Sequence, residues 1–136
     1  MELNNEQKKN IIEKAQELYR AEFQNRCAED PFTREVDIGT FKEACQDMSC
    51  LVHYLAEKMY DIPNEENLIY SCEFKHDGCT WSHYFNKICN RTVDSTIMQF
   101  HSLSPYDDND KCYTNLQKED YYANSIKREI ALYNKK

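Results

Sequence analysis

The chain has few of the residues that make tight turns, with two glycines and three prolines among 136 residues. A fold of many short strands needs many such turns, so this scarcity argues against an all-β protein. No stretch reaches the roughly 20 consecutive apolar residues of a membrane-spanning helix. The polar segment 1–9 also has no apolar run of the kind found in a cleaved secretory signal. The composition therefore predicts a mainly helical protein without a transmembrane span.

Basic residues are also scarce, with 17 lysines and arginines against 24 acidic residues and a net charge of −7. They are scattered along the chain, and only Lys135 and Lys136 stand together at its end. A protein that grips phosphate backbones needs a basic face, so this distribution disfavours a nucleic-acid partner. The length and the 40% apolar content predict one domain, residues 1–136, with a thin core.

Hydrophobic residues recur at three-to-four spacing in several segments, as in amphipathic helices. The first segment is 4–28, with a stripe made of Ile11, Ile12, Ala15, Leu18, Tyr19 and Phe23. The second begins with a capping box at Thr40–Glu43 and stops at Asp61. A last helix is predicted to start at Ser104-Pro105 and to carry apolar positions from Cys112 to Tyr133. These segments predict a helical hairpin or bundle.

The middle of the chain is harder to assign. Asn64 can cap a short helix, but Leu68–Phe74 also fits a strand, and the two alternatives stay open. Asp77-Gly78 is the strongest turn signal in the chain. The stretch 79–103 is predicted to be helical, with a break near 90–94. We therefore predict an all-α fold of four to five helices.

Seven cysteines stand out in a chain that has no recognisable secretory signal. They can be reduced and buried, bound to a metal, or oxidised in a compartment that is reached without a cleaved signal. The candidates for disulfides are Cys45, Cys50, Cys72, Cys79, Cys89 and Cys112, and Cys27 is the seventh cysteine. Disulfides between helices would compensate for a thin core.

The segment from Cys79 to Cys89 resembles the CX9C unit of coiled-coil-helix (CHCH-like) proteins of the mitochondrial intermembrane space. The Cys72-x6-Cys79 spacing is similar to that in accessory subunits of respiratory complex I. The resemblance implies import without a cleaved presequence, helical hairpins joined by disulfides, and residence in the intermembrane space. It also implies a non-catalytic accessory subunit of a respiratory-chain complex that braces neighbouring protein subunits, peripheral to the membrane.

Two alternatives use the cysteines differently. Cys72, His76, Cys79 and His83 form a candidate zinc set of two cysteines and two histidines within twelve residues. Alternatively, the cysteines are small core residues of a soluble helical protein-interaction module in the cytoplasm. Neither alternative calls for a cofactor other than zinc or for a small-molecule substrate.

The sequence offers little sign of catalysis. No histidine has an acid and a nucleophile in the spacing of a recognisable triad, and nothing specific supports Cys27 or Cys45 as a catalytic thiol. Asp61 with Glu73 and Lys75 mimics the carboxylates and lysine of a metal-dependent nuclease, but the acidic net charge disfavours it. The sequence therefore predicts a protein that is not an enzyme.

Overall fold

Two helices and a four-stranded antiparallel sheet make up the fold in the computed structural model, which describes residues 2–29, 44–100, 103–107 and 110–119. Helix α1 covers Asn5–Glu29, and helix α2 covers Cys45–Tyr60. The strands are β1 (Asn67–His76), β2 (Cys79–Ile88), β3 (Arg91–Val93) and β4 (Tyr113–Glu119), arranged in the order β3-β2-β1-β4. The prediction of an all-α fold is wrong, because about half of the described residues after α2 lie in paired strands.

The first predicted helix is confirmed as α1, and its start has a local cause. Gln7 N–H donates to Asn4 Oδ1 at 2.7 Å, and Asn4 N–H donates to Gln7 Oε1 at 3.0 Å, which is a reciprocal capping box. The predicted apolar stripe is buried from Ile11 to Tyr19. The side chain of Phe23 lies outside the described residues.

The second predicted helix is confirmed in its later part as α2. Asp61 ends it in the left-handed conformation, with φ 52°. The N–H of Asp61 donates to the carbonyl of Glu57 at 2.9 Å, and the N–H of Ile62 donates to the carbonyl of Ala56 at 3.4 Å. The predicted capping box at Thr40–Glu43 lies outside the described residues. Neither α1 nor α2 is long and apolar enough to cross a membrane.

The predicted helix over 79–103 is wrong, and the Asp77-Gly78 turn explains why. Asp77 and Gly78 have φ of 49° and 76°, which gives a two-residue hairpin loop of the type I′ class. This loop pairs β1 with β2 from His76↔Cys79 to Asn67↔Ile88. Cys89 and Asn90, at φ 52° and 64°, make the next turn without glycine. Scarce glycine therefore does not exclude a sheet with two-residue loops.

The last predicted helix is also wrong where the structure describes it. Cys112 ends a short 3-10 turn, and Tyr113–Glu119 is strand β4, paired with β1. The remainder of that prediction, residues 120–133, lies outside the described residues. In segment 64–74, a 3-10 turn at Asn64–Glu66 leads into β1. Of the two alternatives for Leu68–Phe74, the strand is therefore the one that forms.

Two hydrophobic clusters hold these elements together. The first joins α1 and α2 to the end of β2 and to β3, and its largest members include Ile12, Leu18, Met48, Leu51, Leu55, Ile88 and Val93. The second lies on the other half of the sheet and is aromatic, with Phe74, Phe85, Phe100 and Tyr113. The segment after β3 contacts both, because Gln16 Nε2 donates to Ser95 O at 2.9 Å while Ile97 and Phe100 belong to the aromatic cluster. This segment therefore connects the helices to the sheet.

A buried hydrogen bond sets how α2 docks on β2. Asn86 Nδ2 donates to the carbonyl of Ser49 at 2.9 Å, and Asn86 is buried. Asn86→Ala should lower the free energy of unfolding by about 1–3 kcal/mol, because it removes a buried hydrogen bond between α2 and β2 together with the packing of the amide side chain. Chemical denaturation measures this loss. The exposed Asn64→Ala control should stay within about 0.5 kcal/mol of the unsubstituted protein; equal losses would contradict the prediction.

Candidate active site

The centre of the candidate site is His83, a fully buried histidine on β2. Its side chain is 0% exposed, and its Nε2 lies 2.7 Å from Oδ2 of Asp94, whose side chain is 4% exposed. Asp94 directly follows β3, and Val93 pairs with Asn86 of β2. The short β2–β3 connection therefore brings the carboxylate beside the imidazole, although the two residues are 11 positions apart.

Cys45 completes a linear arrangement of three groups. It is the first residue of α2, it is half-buried, and its side chain is close enough to His83 to raise the pKa of the imidazole. The order thiol, imidazole, carboxylate is that of a nucleophile, a base and the group that orients the base.

Cys45 stands at the start of helix α2. The first backbone N–H groups of a helix lack intrahelical partners, and the helix dipole is positive there. The N-cap residue Ala44 has no side chain that could cap those groups.

The electrostatics of His83 match this arrangement. Burial alone lowers the pKa of His83, but the charge and hydrogen bond of Asp94 and the contact with Cys45 outweigh it. Together they raise the pKa of His83 from 6.5 to about 9. The imidazole is therefore protonated at neutral pH, as required for an imidazolium beside a thiolate.

Cys72 is also close to His83 but is suited to a different role. It lies directly across from His83 in the register of β1 and β2, and it is buried in the aromatic cluster. Burial, followed by the charges of Asp94, Cys45 and Glu73, raises the pKa of the Cys72 thiol to about 12. Cys72 therefore stays a neutral thiol, and Cys45 is the candidate nucleophile.

Further polar contacts hold the carboxylate and the imidazole. Oδ1 of Asp94 accepts the backbone N–H of Thr96 at 3.2 Å and its hydroxyl at 3.4 Å, and Oδ2 also accepts the hydroxyl of Tyr113 at 2.7 Å. Nε2 of Gln99 lies 3.5 Å from Nδ1 of His83 and 3.3 Å from Thr96 Oγ1. The half-buried Gln99 amide is thus beside Nδ1, the ring nitrogen that Asp94 does not contact.

The four residues of the predicted zinc set form two cross-strand pairs rather than one cluster. Cys72 faces His83, and His76 faces Cys79 next to the hairpin turn. Four residues of strand separate the pairs, which is about 13 Å. Among the described residues, no group of three or more histidines, cysteines or acids is placed to hold a metal ion.

The predicted disulfide residues are spread over the fold. Cys45, Cys72, Cys79, Cys89 and Cys112 carry free thiols, and Cys50 is buried within α2. Cys79 and Cys89 stand at opposite ends of β2, about 33 Å apart for ten residues of strand. The helical face implied by the CX9C spacing is therefore not formed.

The nuclease-like residues do not converge either. Asp61 follows α2, whereas Glu73 lies in the middle of β1 and accepts a hydrogen bond from Asn115 Nδ2 at 2.7 Å. From the start of β1 to Glu73 the strand runs about 20 Å. In the part of the chain that the structure describes, neither carboxylate belongs to a group of three or more side chains placed to hold a metal ion.

Sequence reasoning missed the Cys45–His83–Asp94 site because it read residues 79–103 as a helix. On a helix, His83 and Asp94 would be far apart, whereas a hairpin brings them together. The available signal was His83 at an inward position of a strand, followed by a short strand and then Asp94. No family model matches the chain, and no curated protein or solved structure matches it.

Proposed function

We propose that the protein is a thiol-dependent acyl-transfer enzyme that cleaves an amide or ester with Cys45 as its nucleophile. A single observation carries the proposal: the buried imidazole of His83 lies 2.7 Å from the carboxylate of Asp94, and the half-buried thiol of Cys45 is close enough to raise the pKa of the same imidazole. The same logic of nucleophile, base and orienting group occurs on unrelated folds, and it is recognised by geometry rather than by position in the sequence.

The reaction follows from the roles of these groups. The thiolate of Cys45 attacks the carbonyl carbon of the substrate, and a C–S bond forms as the carbonyl π electrons move to oxygen. When the tetrahedral intermediate collapses, the imidazolium of His83 gives its proton to the leaving amine or alcohol, whose bond to carbon breaks. His83 then takes a proton from water, which attacks the thioester, releases the acid and restores the thiolate.

Two kinds of donor are placed to stabilise the negative oxygen of the intermediate. The first-turn N–H groups of α2 next to Cys45 have no side-chain cap from Ala44. The Gln99 amide lies beside His83 Nδ1 and can turn toward the same oxygen. Donors of this kind supply a large share of the rate in acyl transfer.

Selective acylation tests the proposal. The protein is incubated with p-nitrophenyl acetate at neutral pH, and the acetylated peptide is identified by mass spectrometry. We expect acetyl transfer to Cys45, which Cys45→Ala abolishes. Cys79 is the matched internal control, because it is a free thiol, more exposed than Cys45, and also faces a histidine across the hairpin. Preferential acetylation of Cys79, or equal acetylation of several cysteines, would reject the proposal.

The accessory-subunit hypothesis and its location in the intermembrane space remain predictions from the CX9C spacing. The helical hairpin that the resemblance implies is absent, because Cys79–Ile88 is a strand. The half-buried thiol beside a protonated imidazole has no part in a purely bracing role. The acyl-transfer proposal accounts for that pairing, and therefore we prefer it.

A further inference from the structure

We propose that Tyr113 is a positioning residue of this site, whose hydroxyl holds the Asp94 carboxylate in the orientation that serves His83. This inference rests on the proposed acyl-transfer function, which assigns no role to Tyr113. Tyr113 is in β4, which forms one edge of the sheet, whereas β3 forms the other edge. Tyr113 therefore links a distant strand to the carboxylate of Asp94.

The hydrogen bonds at Asp94 are arranged around one oxygen. Oδ2 accepts from Tyr113 at 2.7 Å and contacts His83 Nε2 at the same distance of 2.7 Å. Oδ1 is occupied by the N–H and hydroxyl of Thr96. With both oxygens engaged, the carboxylate cannot rotate without breaking a buried hydrogen bond.

The ring of Tyr113 is itself fixed by packing. Its centroid lies 4.3 Å from that of Phe85 and 5.1 Å from that of Phe74, and its plane is within 26° of the His83 ring. Tyr113 is buried. The hydroxyl is therefore presented to Asp94 from a rigid aromatic wall, which is how a positioning group keeps its precision.

The surrounding groups keep the phenol neutral. Burial, the charge and hydrogen bond of Asp94, and the nearby thiols of Cys72 and Cys112 all raise the pKa of Tyr113. The titratable groups around His83 are Cys45 from α2, Cys72 from β1, Asp94 after β3 and Tyr113 from β4. Among these, only Tyr113 and His83 share one carboxylate oxygen.

Sharing that oxygen has a consequence for the base. The Tyr113 hydroxyl, a neutral donor to Oδ2 of Asp94, stabilises part of the negative charge that would otherwise attract the His83 imidazolium. Without the hydroxyl, the carboxylate interacts more strongly with His83, so the imidazole should hold its proton to higher pH. The same loss frees the carboxylate to rotate, and it should slow Cys45 at neutral pH.

NMR titration of His83 in Tyr113→Phe tests this inference without any substrate. We expect the titration midpoint of the imidazole to rise by at least a few tenths of a pH unit. The upper pH limit of Cys45 alkylation by iodoacetamide should change as well. Tyr70→Phe is the control, because the Tyr70 ring also packs on Phe85 at 5.9 Å and has no described contact with Asp94. An unchanged or lowered midpoint in folded Tyr113→Phe would overturn the inference.

A second measurement uses the unsubstituted protein, so the test does not depend on the variant folding. The Tyr113 hydroxyl proton should be protected from exchange and should show contacts to the Phe85 ring protons. Absence of such a proton would also overturn the inference. If the midpoint moves but Cys45 is no more reactive than Cys79, the positioning role stands and the acyl-transfer function fails, so the two outcomes are separable.

Discussion

Asp94→Ala should lower the free energy of unfolding by about 3–5 kcal/mol, since it removes one partner of a buried charged pair. The imidazole of His83, 0% exposed, would lose its anion, and the Tyr113 hydroxyl would lose its acceptor. Chemical denaturation at pH 6 measures the loss. Asp94→Asn is the matched variant, because the amide keeps the shape and one acceptor oxygen, and it should lose less than Asp94→Ala.

The effect of pH distinguishes the lost ion pair from a simple packing defect. The pKa of His83 is raised to about 9 in the folded protein, from 6.5. The folded state therefore binds this proton more tightly than the unfolded state does. The stabilisation is complete below pH about 6.5 and is lost as the pH rises through about 9. The deficit of Asp94→Ala should shrink over that range; a deficit that is constant with pH, or grows, would contradict the assignment.

His83→Gln should lower the rate of Cys45 acetylation by p-nitrophenyl acetate at neutral pH by about 10²–10⁴-fold, the usual range for loss of a general acid–base group. The glutamine amide can still form hydrogen bonds, but it cannot hold or transfer the proton. Stopped-flow release of p-nitrophenol in the first turnover measures the rate.

His76→Gln is the matched control for this experiment. His76 is also a histidine on the hairpin, and its ring lies 6.5 Å from that of Phe74, but it is next to the turn and faces Cys79. Its substitution should leave the acetylation rate of Cys45 within about twofold. Equal losses in the two variants would show that general disturbance of the hairpin, rather than proton transfer by His83, controls Cys45.

Part of the fold could be predicted because its causes are local. The stripe from Ile11 to Tyr19 and the stop at Asp61 were recognised from residues within a few positions of each other. Asp77-Gly78 was recognised as a turn, but not as the loop of a hairpin. The strands around it were missed, because short apolar runs fit a helix and a strand about equally well.

The candidate site was out of reach for a different reason. A reactive cysteine needs a basic, partly exposed setting, and nothing specific in the sequence indicates such a setting for Cys45. His83 was placed in a zinc set with Cys72, which is in fact its cross-strand neighbour. In the sequence, Asp94 marks only the end of the break in the helix predicted over 79–103.

The amino-acid sequence by itself determined the two helices, the hairpin turn and the acidic charge, because each depends on composition or on contacts between near neighbours. Only the tertiary structure decided that Cys45, His83 and Asp94 meet. Their meeting depends on the docking of α2 against β2 through Asn86 and on the register of β2 with β3. Such long-range pairings are set by the packing of whole elements, and no spacing within one segment encodes them.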